Sequence, residues 1–193
     1  MRDPSSPTVD LLVLFGLVHL CQRLGGAVGL GTAWFALATP VSRPWTLLTA
    51  VYAHASVGHL LANAVALSLV GLALERVTTR LRFHAFVFGT GTLAALAELL
   101  AGAILGTSVA VLGASGAVLA LYGYVLAGNP ITERVLGAVD IGRRGRAVLA
   151  VVAALVVTAL TAGPGVALVA HFTGFGMGVV AGRAGVLRGS SRI

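Results

Sequence analysis

The chain has 193 residues, of which 58% are hydrophobic and 10% are charged, and its mean hydropathy is +0.98. Soluble domains carry about 25% charged residues, so the composition excludes an ordinary soluble protein and predicts one membrane-embedded domain over residues 1–193. The basic residues are all arginine, and apolar stretches separate them, which argues against nucleic-acid binding. A single cysteine, Cys21, excludes an intrachain disulfide, and the scattered histidines predict no metal site.

The hydropathy pattern predicts an all-α, polytopic membrane protein. A helix needs about 20 apolar residues to cross the hydrocarbon core, and six segments approach that length: residues 9–29, 57–76, 83–105, 114–128, 147–163 and 165–183. The fourth segment is short, so we expect it to begin below the membrane surface, behind a loop that is buried in protein or lines a water-filled cavity. Residues 34–49 contain Trp34, Trp45 and prolines, which favours an interfacial position.

Arginine predicts the orientation of these spans. One side of the membrane would hold Arg2, Arg76, Arg80, Arg82, Arg134, Arg143, Arg144, Arg146, Arg183, Arg188 and Arg192. The other side would hold Arg43, with Arg23 near the end of the first span. The positive-inside rule then places both termini in the cytoplasm, which six spans allow, and the plasma membrane is the expected location.

A serine and a histidine stand out within the apolar segments. Ser115 lies in Gly-Ala-Ser-Gly at residues 113–116, and His171 lies in Ala-His-Phe-Thr-Gly at residues 170–174. Polar side chains are costly inside lipid and are usually functional or paired. A hydroxyl becomes a useful nucleophile when a neighbouring base takes its proton, so this pair predicts a nucleophile and its base.

Two further polar residues are expected at the same depth. His59 and Asn63 lie four residues apart, on one face of the second span near its outer end. The Asn63 amide, the His59 imidazole and the backbone N–H of Ser115 could stabilise an oxyanion. Glycines at four-residue spacing, at 174, 178 and 182, would let the fourth and sixth spans approach closely.

Other interpretations of these residues stay open. Ser115 could be a small residue in a Gly-Ala seam that bonds back to a carbonyl, and His59 with Asn63 could form a polar lock between helices. Glu98, the only acidic residue deep in a predicted span, is either an interhelical hydrogen-bonding residue or a catalytic partner. Since no carboxylate is well placed as a third member, a dyad is favoured.

The chain resembles the rhomboid family of intramembrane serine proteases. The family's GxSG motif matches residues 113–116, AHxxGxxxG matches residues 170–178, and HxxxxHxxxN matches His54, His59 and Asn63. The resemblance covers about residues 34–184 and implies a six-transmembrane-helix bundle, with Ser115 as nucleophile and His171 as base. It also implies that His59 and Asn63 help form the oxyanion site, that His54 supports it, and that no cofactor is needed.

Two positions depart from the family pattern. Many members carry an aromatic residue four positions after the nucleophile, packed against the histidine, where this chain has Leu119. Tyr122 and Tyr124 lie on other helix faces and are not expected to replace it. Many members also carry arginine after the tryptophan at position 45, where this chain has Thr46, so weaker anchoring of the first loop is expected.

The leading functional hypothesis is therefore an endopeptidase that cuts membrane proteins in or near their transmembrane helices. Its expected partners are those substrates and membrane lipid, and its oligomeric state is left open. The alternative is a catalytically weak or inactive rhomboid-like protein that binds transmembrane clients. A small transporter is disfavoured because the sequence shows no convincing internal repeat.

Overall fold

The structure is a computed structural model that describes residues 6–129, 132, 134, 142–163 and 165–188. Two of the arginines used for the predicted orientation, Arg2 and Arg192, lie outside the described residues. The helices of the described ranges are α1 (Pro7–Ala27), α2 (Thr46–Thr49), α3 (Val57–Leu74), α4 (Arg80–Ile104), α5 (Ser115–Gly128), α6 (Arg143–Leu160) and α7 (Leu168–Ala184). A 3-10 turn spans Thr32–Trp34, and the strands β1 (Leu37–Ala38) and β2 (Ala110–Val111) pair antiparallel. The predicted all-α polytopic membrane bundle is confirmed.

Each predicted span corresponds to one long helix. Within the described residues, α1, α3 and α4 are long and apolar enough by length and composition to cross a bilayer. The helix α5 has 14 residues, which at 1.5 Å per residue reach about 21 Å, less than the hydrocarbon thickness of about 30 Å. The fourth span is thus short, as predicted. The last span begins at Leu168 rather than at residue 165, because Gly165 has a φ of +74° and stands in a turn.

Side-chain caps fix where three of the helices begin. The hydroxyl oxygens of Ser6, Ser56 and Thr79 accept hydrogen bonds from backbone N–H groups in the first turns of α1, α3 and α4. These bonds satisfy donors that have no acceptor within the helix. The Ser56 cap fixes the start of α3 and therefore the position of His59, whose N–H lies 3.1 Å from the Ser56 oxygen.

The central helix of the bundle is α5. Its residues Ala117, Ala120 and Leu121 are fully buried, and it packs against α3, α4 and α7. In contrast, α6 packs mainly on α7, through a small cluster that includes the buried Ala154. The helix that begins at Ser115 is therefore surrounded by protein on most sides.

The outward faces of the helices carry large apolar side chains. Leu69 of α3 is 71% exposed, Leu100 of α4 is 62% exposed, and Leu155 of α6 is 56% exposed. Soluble proteins rarely expose contiguous apolar surface on this scale. Lipid is the solvent that suits these faces, so the chain is an integral membrane protein.

The segment between α1 and α3 forms a compact cap rather than a spanning helix. Trp34 and Trp45 stack with ring centroids 5.6 Å apart, and the guanidinium of Arg43 lies 5.2 Å above the Trp34 ring. Thr46 is buried, and its hydroxyl donates to the Arg43 carbonyl at 2.5 Å. The loop that lacks an arginine at position 46 is thus anchored by a neighbouring arginine and by stacked tryptophans.

The loop before Ser115 is held inside the protein. Strand β2 pairs with β1, so that Ala110 lies opposite Ala38. The N–H of Gly113 then donates to the Ala50 carbonyl at 2.8 Å. These bonds satisfy the irregular backbone that leads into α5, as a loop buried at membrane depth requires.

Candidate active site

The backbone before Ser115 requires glycine. Gly113 has a φ of +125°, which side-chain-bearing residues rarely adopt. A Cβ atom there would lie 2.7 Å from Cε1 of the His59 ring. The first glycine of Gly-Ala-Ser-Gly therefore lets the chain turn into α5 while the His59 imidazole packs against it. Ser115 is the first residue of α5, so its N–H belongs to the turn whose donors lack intrahelical acceptors.

The structure brings Ser115 and His171 into direct contact. His171 lies in the first turn of α7, is 7% exposed, and places its Nε2 atom 2.9 Å from the Ser115 Oγ. The two residues are separated by 56 positions in the chain. The contact predicted between the fourth and sixth spans is confirmed.

The approach of α5 and α7 depends on glycine, as the four-residue spacing indicated. Three glycines of α7 face backbone carbonyl oxygens of α5, in the pairs Gly174–Gly116, Gly178–Ala120 and Gly182–Tyr124. A Cβ atom at any of the three would overlap its partner oxygen. The side chain of Leu119 also packs toward α7, in the cluster that contains Phe172 and Phe175.

A third residue, Thr161, contacts the histidine and was missed by the sequence analysis. Thr161 follows the last residue of α6, and its Oγ1 lies 2.9 Å from Nδ1 of His171. Both imidazole nitrogens of His171 therefore have hydroxyl partners. A carboxylate is the usual third member of such a site, whereas a threonine at the end of an apolar helix carries no distinctive sequence signal.

The tyrosines of α5 do not replace the aromatic residue that Leu119 lacks. Tyr122 donates its hydroxyl to the Ala66 carbonyl of α3 at 3.1 Å. Tyr124 packs edge-on against Phe86 of α4. Both side chains are thus engaged away from His171, in agreement with the expectation from their positions on α5.

His59 and Asn63 lie beside the Ser–His pair and line the same cavity. The Asn63 amide donates one hydrogen to the His59 carbonyl of its own helix at 3.0 Å. An amide carries two hydrogens, so one donor remains on Nδ2. Asn63 is buried, whereas His59 is partly exposed.

His54 packs between His59 and the helix α1. Its ring is 1% exposed, packs 4.9 Å from the Phe15 ring of α1 and 5.2 Å from the His59 ring, and neither ring nitrogen has a hydrogen-bond partner among the described residues. Its backbone N–H donates to the Gln22 side chain of α1 at 2.9 Å. The helix α1 therefore steadies the loop that leads to His59.

Glu98 caps the helix that carries the histidine. Its Oε2 accepts a hydrogen bond from the Ala170 N–H at 2.8 Å, within the first turn of α7. An acceptor at the amino end of a helix satisfies a free donor and, when ionised, interacts favourably with the helix dipole. This contact is the interhelical role considered for Glu98 in the sequence.

Replacing Glu98 by leucine should lower the free energy of unfolding by about 1–2 kcal/mol, because the cap on Ala170 is lost. Glutamine keeps an oxygen acceptor and should retain most of the stability. Unfolding of the purified protein by sodium dodecyl sulfate, followed by circular dichroism, measures both variants. Equal stability of the leucine variant and the wild type would contradict a capping role.

A cavity of about 1230 Å³ is lined by Ser115, His171, His59, Asn63 and Thr161. It extends along α5 from Ser115 to Asn129 and has apolar walls from α3 and α6. Ser115 and His171 lie at one end of the cavity, and Asn129 and Thr132 line the other. Among the described residues, no group of three or more His, Cys, Asp or Glu side chains could hold a metal ion.

Comparison with known proteins identifies the family. A comparison with curated sequences gave no match. The family model described as the Rhomboid domain matches residues 41–188. The matched range includes the helices α3, α5, α6 and α7, and with them the Ser–His pair, His59, Asn63 and Thr161. The chain therefore belongs to the rhomboid family of intramembrane proteins.

Proposed function

We propose that this protein is an intramembrane serine endopeptidase that hydrolyses peptide bonds in or near the transmembrane helices of its substrates. The observation that carries the proposal is the 2.9 Å contact between Ser115 Oγ and His171 Nε2 at the end of a cavity within a membrane bundle. In this role Ser115 is the nucleophile and His171 the general base. The reaction needs no cofactor, because the histidine handles each proton transfer.

The first half of the reaction forms an acyl-enzyme. Ser115 Oγ attacks the scissile carbonyl carbon while its proton passes to His171 Nε2. The carbonyl oxygen becomes an oxyanion, for which the Ser115 N–H, the remaining Asn63 N–H and the His59 ring are the nearby donors. Collapse of this intermediate breaks the C–N bond, and the leaving nitrogen takes the proton from His171.

The second half regenerates the serine. A water molecule gives a proton to His171 Nε2 and attacks the acyl carbon. The new carboxyl group is released when Ser115 Oγ leaves and takes that proton back. Water must therefore reach the start of α5, where Ser115, His59 and Asn63 line the cavity.

The shape and lining of the cavity favour a transmembrane segment as substrate. Its apolar walls suit a hydrophobic chain, and the polar groups around Ser115 suit an exposed peptide group. A helical substrate would have to unwind near the site, because helical carbonyls are engaged in hydrogen bonds. The arginine distribution supports cytoplasmic termini and a site toward the outer leaflet, and the plasma membrane is the location that we propose.

Covalent labelling tests the proposal without a known substrate. A fluorophosphonate should label wild-type protein at Ser115, and His171→Ala should slow labelling by about 10²–10⁴-fold, because the base is removed. Mass spectrometry of the labelled peptide locates the adduct. Absence of labelling in correctly folded wild-type protein would overturn the proposal and favour the non-catalytic client-binding alternative.

A further inference from the structure

The Thr161 hydroxyl is placed between a helix end and the histidine. Its Oγ1 lies 2.8 Å from the Val157 carbonyl oxygen, 3.2 Å from the Thr158 carbonyl oxygen and 2.9 Å from His171 Nδ1. The two carbonyls can only accept a hydrogen. The imidazole nitrogen can donate or accept, depending on its tautomer.

The one hydrogen of the Thr161 hydroxyl can go to the Val157 carbonyl or to His171 Nδ1, because both lie within hydrogen-bond distance. We adopt the first arrangement, in which the hydroxyl donates to the Val157 carbonyl at 2.8 Å and its lone pairs face His171. In that arrangement Nδ1 carries the hydrogen and donates it to Thr161. As a result, Nε2 carries no hydrogen and faces Ser115 Oγ as an acceptor.

We propose that Thr161 is a positioning residue that holds His171 in the tautomer with hydrogen on Nδ1, so that Nε2 is ready to accept the Ser115 proton. The inference rests on the proposed function, because the tautomer matters only if Nε2 acts as a base. The opposite tautomer would place a hydrogen between Nε2 and Ser115 and prevent the transfer. A neutral hydroxyl thus accepts the hydrogen bond from Nδ1, the role that a carboxylate has in a Ser–His–Asp triad.

The same contact also serves the charged form of the histidine. When Nε2 accepts the serine proton, both ring nitrogens carry hydrogen, and Nδ1 continues to donate to Thr161. Thr161 is the carboxyl-terminal cap of α6, so the negative end of that helix dipole lies beside the imidazolium. A neutral partner avoids burying a fixed negative charge at membrane depth, which would be costly.

The position of Leu119 makes this contact more important. A leucine offers no aromatic face at the position where many members of the family pack a ring against the histidine. The ring of His171 is instead held through both nitrogens, by Ser115 on one side and Thr161 on the other. Removing the Thr161 hydroxyl leaves only the serine, which is itself the reacting group.

The test compares Thr161→Val, Thr161→Ser and Thr158→Val. Valine removes the hydroxyl and keeps the shape, whereas serine keeps the hydroxyl. Thr158 is one turn earlier on α6, and its hydroxyl has no hydrogen-bond partner among the described residues, so its variant is a matched control. The readouts are the fluorophosphonate labelling rate of Ser115 and the tautomer of His171, read from ¹⁵N chemical shifts of ¹⁵N-histidine-labelled protein.

We expect Thr161→Val to slow labelling by roughly 10–100-fold, because the base is misplaced and partly in the wrong tautomer. Thr161→Ser and Thr158→Val should label at close to the wild-type rate. The wild type should show hydrogen on His171 Nδ1, and the valine variant should show a mixture of tautomers. With a cleavable reporter, the loss should fall on kcat while KM stays nearly constant.

Three results would overturn the inference. They are a valine variant that labels like the wild type, a loss that serine does not restore, and a wild-type histidine with its hydrogen on Nε2. Failure of the proposed function looks different, because the wild type itself would remain unlabelled at Ser115. Measuring the tautomer of His171 in the wild type requires neither a variant nor catalytic activity. This measurement therefore tests the role of Thr161 even if Thr161→Val fails to fold.

Discussion

Replacing Ser115 by alanine should reduce cleavage of a transmembrane reporter substrate by roughly 10³-fold or more, to the background rate. In the proposed reaction the hydroxyl oxygen forms the acyl bond, and neither His171 nor a water molecule can take over that bond. The fold should persist, because Ser115 packs in a seam where alanine fits. The measurement is cleavage by purified protein in detergent or liposomes, together with unfolding in sodium dodecyl sulfate.

A matched control uses a serine outside the site. The hydroxyl of Ser68 in α3 donates to the Ala64 carbonyl of its own helix at 2.7 Å. Ser68→Ala should therefore leave cleavage unchanged, and it controls for the general effect of losing a hydroxyl in a membrane helix. Cleavage retained by Ser115→Ala, in preparations free of other proteases, would refute the role of Ser115 as nucleophile.

Replacing Gly178 by alanine should lower the free energy of unfolding by about 1–3 kcal/mol, because the new methyl group overlaps the Ala120 carbonyl oxygen. Relief requires α5 and α7 to move apart, since a backbone carbonyl cannot rotate away as a side chain can. That movement would lengthen the contact between Ser115 and His171 at the same interface. Cleavage should therefore fall together with stability in the same denaturation and reporter assays.

Gly176 provides the control in the same helix. A Cβ atom there would meet no other atom within 4 Å. Gly176→Ala should keep or raise stability, by up to about 1 kcal/mol, because alanine favours helix more than glycine does. Equal effects of the two substitutions would show that glycine acts in α7 through backbone flexibility rather than through close packing.

The parts of the fold that follow from hydropathy and spacing could be predicted. Lipid imposes a length and an apolar composition on each span, so the positions of the six long helices could be read from the chain. The contact of Ser115 with His171 could be predicted because burying an unpaired polar side chain in lipid is costly. Glycines at four-residue spacing also indicated which helices approach closely. The short fourth span also followed, because its apolar stretch is limited by Asn129 and by the loop before Ser115.

The contacts that depend on loop geometry could not be predicted. Thr161 reaches His171 only because α6 ends at Leu160 and the chain returns directly into α7. The strands β1 and β2 have two residues each, too few to show an alternating pattern.

The pairing of β1 with β2 has a consequence for the order of events during synthesis. The hydrogen bonds between Thr39 and Val109 join positions 70 residues apart. The segment around Thr39, which packs against the loop before Ser115, has therefore already left the ribosome when that loop is made. His171 arrives later, because it follows Ser115 by 56 residues. If the two residues act as proposed, the nascent chain has no base beside Ser115 while α5 enters the membrane, and it cannot cleave a neighbouring membrane protein until α7 docks.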